Sequence, residues 1–71
     1  MEKVVKIYPN GNFRVTDSEN EYDVSQIMDR KNVKVGDGIE FTDYRLKTVK
    51  FVKDGKYQSK IVILSLGFKV A

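Results

Sequence analysis

Fifteen of the 71 residues are valine or isoleucine, whereas only four are leucine or alanine. That ratio restricts the backbone more than any other feature of the chain. Branching at Cβ removes χ1 freedom in a helix and packs well on a pleated sheet, so a helical bundle of this length normally inverts the ratio. An all-β fold is expected. The length allows a single domain, residues 1–71, because so short a chain buries only about 60% of the surface its unfolded form exposes. Apolar residues make up 41% of the sequence, which is enough for one modest core and too many for a disordered polymer.

The chain has no cysteine and no histidine. That excludes disulfide staples, thiolate or imidazole metal sites, Ser-His-Asp catalysis and thiol nucleophiles. No pair of carboxylates is placed for acid–base work, so no enzyme is expected and no cofactor. The acidic run Asp17, Glu19, Glu21 and Asp23 lacks calcium-loop spacing and reads as a solvated turn. Gly36-Asp37-Gly38 has the spacing of neither a phosphate loop nor a dinucleotide fingerprint, and reads as a bend.

Local patterns divide the chain into short strands. Residues 4–16 form a hairpin around Pro9-Asn10-Gly11-Asn12, where Pro fixes φ and Asn and Gly tolerate positive φ. Glu21 to Val24 alternates as a third strand. Ser25 to Lys31 is the one place for a short helix, with Ser25 as its N-cap. Ile39 and Phe41 begin a fourth strand, Asp43-Tyr44-Arg45 is a bend, and Leu46 to Val52 is a fifth. Asp54-Gly55 is the strongest hairpin signal, since a two-residue type I′ turn needs positive φ twice. Tyr57 to Leu66 then returns as a sixth strand. Five or six strands with one helix between the third and fourth imply a small OB-type barrel, with an SH3-like barrel as the rival.

The charge is uneven. Residues 1–43 carry six basic and nine acidic groups; residues 44–71 carry seven basic groups and one acidic. A domain polarised in this way can offer a cationic face to a polyanion. Met1-Glu2-Lys3-Val4-Val5-Lys6 is charged at once, and no apolar run approaches the ~20 residues of a membrane span, so a cytoplasmic location away from membranes is expected.

Tyr8-Pro9-Asn10-Gly11-Asn12-Phe13-Arg14-Val15 resembles the first hairpin of bacterial translation initiation factor one. Residues 29–37, a basic segment leading to a Gly-Asp bend, and Tyr44-Arg45-Leu46-Lys47 are similar to later parts of that family. The likeness covers residues 4 to about 53 and leaves 54–71 as an additional hairpin strand and tail. It implies an S1-like OB barrel that binds RNA, ribosomal RNA in that family. A weaker similarity to cold-shock domains lacks their multiple aromatics.

Strand alternation sorts the side chains. With Val5, Ile7, Phe13, Val15, Ile39, Phe41, Val49 and Phe51 inward, Lys6, Tyr8, Arg14, Tyr44 and Lys50 point outward, and Lys47 lies near the mouth of the barrel. Cations track phosphates, and tyrosine rings stack unpaired bases. The expected surface for RNA or single-stranded DNA is Lys6, Tyr8, Arg14, Tyr44, Arg45, Lys47 and Lys50, with Arg30 and Lys31 contributing from the end of the helix. Competing roles are a cross-strand ion pair of Arg14 with Glu21 or Asp23, a rim position for Tyr8, and a turn-closing role for Tyr44. The other class of function is a protein-interaction module docking by an edge strand or the apolar C-terminal tail. Ile61-Val62-Ile63-Leu64 is apolar on both faces, so residues 61–66 need the 67–71 tail, a protein partner or a second copy to cover one side.

Overall fold

A computed structural model describes residues 1–71 as five strands and no helix: β1 (Glu2–Ile7), β2 (Phe13–Thr16), β3 (Glu21–Gln26), β4 (Gly38–Lys53) and β5 (Lys56–Val70). They close into a barrel in the order β1-β2-β3-β5-β4, and β4 returns to β1 through Glu2–Ile39 and Lys3–Gly38. All neighbours are antiparallel except β3 and β5, which run parallel from Asp23–Val62 to Gln26–Ser65. The chain contains no helix long and apolar enough to cross a membrane.

The core is Val4, Phe13, Val15, Val24, Ile39, Ile63 and Phe68. Phe13 and Phe68 meet edge to face at 5.5 Å, and Phe41 joins Phe68 at 6.4 Å. The expected alternation holds in β2 and fails in β1, because the register slips between Val4 and Lys6. The irregularity puts Val4 in the core, leaves Val5 39% exposed, and still presents Lys6 outward beside Arg14. Ile7 lies opposite buried Phe13 but at the barrel's end, where it too is largely exposed.

The short helix expected over 25–31 does not form. Ser25 and Gln26 extend β3 along β5, and the next two amides, Ile27 and Met28, both donate to the Ser65 carbonyl. Gln26, nearly fully buried, then fixes the descending loop: its amide nitrogen donates to the carbonyls of Gly11 and Lys31, and its Oε1 accepts the Lys31 N–H at 2.7 Å. The Gln26 carbonyl, which a helix would offer to the Arg30 amide, accepts the Arg30 guanidinium instead, at 2.7 Å. The Gly36-Asp37-Gly38 bend behaves as expected. Asp37 Oδ2 accepts the Lys34 N–H, and Gly36 and Asp37 exchange hydrogen bonds with Val4, which seals the β1–β4 seam.

The fourth and fifth expected strands are one strand, β4, and the expected sixth is β5. The Asp43-Tyr44-Arg45 bend is a pair of register irregularities within β4, not a break. The 67–71 tail does not fold over 61–66; it continues β5 and pairs with residues 38–43 of β4. Beyond the barrel, β4 and β5 run on together, from Thr48–Ile61 to Lys53–Lys56, as a two-stranded arm. Its tip is the expected two-residue turn, with Asp54 at φ 53° and Gly55 at φ 72°. The arm gives the molecule its long axis, 39 Å against 23 Å in the other directions.

Candidate nucleic-acid interface

One rung crosses the outside of the whole barrel. Lys6 on β1 lies beside Arg14 on β2, Arg14 beside Asp23 on β3, Asp23 beside Val62 on β5, and Val62 beside Lys47 on β4. Opposed residues of paired strands share a face, so all five side chains point to the same side. Tyr8 leans onto this rung: its hydroxyl donates to Asp23 Oδ1 at 2.6 Å, and Lys6 Nζ sits 5.3 Å from its ring centre. The same face continues up the arm through Val49–Lys60, Phe51–Gln58 and Lys53–Lys56. Lys60 joins the two parts, because its Nζ lies 2.8 Å from Asp23 Oδ2 and 5.8 Å from the Phe51 ring centre.

Asp23 organises the centre of the patch. Its largely covered carboxylate accepts from Tyr8, from Arg14 Nε at 2.9 Å and from Lys60. Burial alone raises a carboxyl pKa, but the hydrogen bonds from Arg14, Lys60 and Tyr8 together outweigh it and hold Asp23 well below the usual carboxylate range. The same bond to Asp23 pushes the Tyr8 hydroxyl up and makes the Arg14 guanidinium harder to deprotonate. A carboxylate with a depressed native pKa stabilises the fold above its unfolded value of about 3.9, and that stability is lost as the pH falls. Acid titration of wild type should therefore show stability falling below about pH 4, and Asp23→Asn should be less stable at neutral pH with a shallower acid limb. Equal acid slopes in the two proteins would contradict this role.

The expected site residues divide into three groups. Lys6, Tyr8, Arg14 and Lys47 share the outer face. Arg45 lies on that face one rung lower, opposite Leu64, with its guanidinium 3.0 Å from Asp43. Tyr44 and Lys50 are on the opposite face. The irregularity around Asp43 reverses the alternation of β4, so that Ile39 and Phe41 point inward before it and Tyr44 and Leu46 after it. Val49 and Phe51, expected in the core, consequently stand on the outer face of the arm, and Lys50 faces the other way. Arg30 and Lys31 belong to the structure of the barrel's far end. Arg30 donates to the carbonyls of Asn10 and Gln26 at 2.6 and 2.7 Å, and Lys31 Nζ donates to the Phe68 carbonyl over its ring.

The outer face also holds Phe51, Lys53, Lys56 and Lys60, which were not among the expected binding residues. Their signal was present: a two-residue Asp54-Gly55 turn pairs Lys53 with Lys56, and counting back by twos places 51, 58, 60 and 47 on one face. In the acidic segment, Asp17 caps its own turn by accepting the Glu19 and Asn20 amides, which lowers its pKa, while Asp23 serves the hub.

No protein-family model matches the chain, and neither do the curated proteins or the solved structures with which it was compared.

Proposed function

We propose that this chain is a non-catalytic OB-type barrel that binds RNA or single-stranded DNA through its outer face and arm, in the manner of the initiation-factor-one family it resembles. One observation carries the reading: Lys6, Tyr8, Arg14 and Lys47 on the barrel share a face with Phe51, Lys53, Lys56 and Lys60 on the arm. A strip of cations interleaved with two half-buried rings, Tyr8 and Phe51, suits an unpaired strand, whose phosphates are regularly spaced and whose bases offer flat faces. The barrel order, with β3 and β5 parallel and a β1–β2 hairpin closed by Pro9-Asn10-Gly11, favours the OB assignment over an SH3-like one. Ribosomal RNA is one candidate target, and the cytoplasm the corresponding location.

The ligand assignment is tested by fluorescence titration of mixed-sequence single-stranded RNA and DNA at several salt concentrations. With three or four phosphates neutralised, log K should fall with log salt at a slope of roughly −2 to −3. Affinity indifferent to salt would reject the reading. A second reading, a protein-interaction module, is favoured by the open edge of β4, which pairs with β1 only through Gly38 and Ile39. It predicts no nucleic-acid binding at low salt.

A further inference from the structure

The arm has a second face that the outer strip does not use. Leu46, Thr48, Lys50 and Val52 on β4 lie opposite Ile63, Ile61, Ser59 and Tyr57 on β5. Leu46, Val52, Tyr57 and Ile61 on this face are 62%, 63%, 88% and 47% exposed. At its base the face runs into an apolar groove of about 410 Å³, lined by Tyr22, Ile39, Phe41, Tyr44 and Ile63, with Glu2 on the same side as its strand partner Ile39. A two-stranded ribbon is marginally stable in water without something packed on it, and two exposed apolar clusters, at the tip (Val52, Tyr57) and at the base beside a groove (Leu46, Ile61), mark a contact surface. The occupant must be apolar and must tolerate, or prefer, a negative rim. A nucleic acid does neither.

We propose that the occupant is a second copy of this chain. Two arms pack inner face to inner face, antiparallel about a two-fold axis, so that the Val52 and Tyr57 tip of each seats in the groove of the other. Lys50, the one cation on the inner face, is two residues from Val52 and so arrives beside the partner's Glu2, which shares the groove side with Ile39. The surface is self-complementary: apolar and basic near the tip, apolar and acidic at the base. From Leu46 at the barrel's edge to Lys53 at the tip, β4 spans roughly 23 Å at strand geometry, long enough to lay one tip on the other base. Such a contact is isologous and closes at the dimer. It leaves both outer faces free, so it stands whether or not the nucleic-acid reading does.

The experiment is sedimentation velocity on the whole chain, without nucleic acid, from low to high micromolar concentration. A monomer–dimer equilibrium is expected. Tyr57→Ser, at a side chain too exposed to matter for folding, should weaken it about tenfold or more, as one anchor residue does at an interface. Lys50→Glu should weaken it, and Lys50→Glu combined with Glu2→Lys should restore part of the loss. Because the chain has no cysteine, a nitroxide on Lys56→Cys, mixed with isotope-labelled wild type, reports where the tip sits. Broadening at the amides of Phe41, Tyr44 and Leu46 is expected. A mass of 8.2 kDa at every concentration would overturn the proposal. So would a dimer indifferent to Tyr57→Ser, a double charge variant no tighter than Lys50→Glu alone, or broadening absent from the groove.

Discussion

Phe13→Ala should cost the fold about 3–5 kcal/mol, the usual loss for deleting a fully buried ring. Phe13 has no exposed surface, meets Phe68 edge to face, and lies between Ile7 and Val24 in the β1–β2–β3 register. Against a total stability of roughly 4–11 kcal/mol for a chain this long, the variant should be largely unfolded or should unfold at a much lower urea midpoint. Phe51→Ala is the control. The same side chain on the arm packs against no core residue, so its removal should change stability by less than about 1 kcal/mol. Equal losses in the two variants would mean that Phe51 is buried and the arm does not project as described.

The second large effect concerns binding. Lys47→Gln, Lys53→Gln and Lys56→Gln together remove three outer-face cations that make no ion pair within the molecule. The salt dependence of single-strand binding should become shallower by roughly 2 log units per log unit of salt, and affinity at low salt should drop about tenfold or more. Phe51→Ala, nearly silent in stability, should cost ~1–3 kcal/mol of binding through lost stacking. Asp23→Asn should act in the other direction, because it releases Lys60, leaves Arg14 only its longer contact with Glu21 at 3.7 Å, and removes one negative charge from the face. A triple variant that binds as wild type does, with the same salt slope, would locate the ligand elsewhere.

Much of the scaffold was legible in the residues. The excess of valine and isoleucine over leucine and alanine announced sheet, Pro9-Asn10-Gly11 the first turn, and Asp54-Gly55 the tip of the arm. These are local signals, set by φ preferences and Cβ branching within a few residues. What they did not carry were the non-local events. The register slip at Val5 and the irregularity at Asp43 change which side of a strand faces in, and nothing in the alternation of Ile39, Phe41, Val49 and Phe51 marks a reversal between the first pair and the second. For that reason simple alternation puts Lys50 and Tyr44 on the wrong face and Lys6 and Arg14 on the right one. The helix at 25–31 failed for a similar reason. Ser25 caps helices well in isolation, but β5 supplies strand partners from 40 residues away, and no local propensity reports that. Arg30 and Lys31 looked free because their acceptors, the carbonyls of Asn10, Gln26 and Phe68, are backbone atoms without a sequence signature.

Under the proposed function, the outer strip, and not the groove or the far end, receives the nucleic acid. Titrating isotope-labelled protein with a short single-stranded RNA while following backbone amides tests it most directly. Shifts should concentrate at Lys6, Tyr8, Arg14, Lys47, Phe51 and Lys60, and leave Tyr44 and Arg30 in place. Shifts centred on the groove residues Tyr22, Phe41 and Tyr44, or no shifts at low salt, would contradict it.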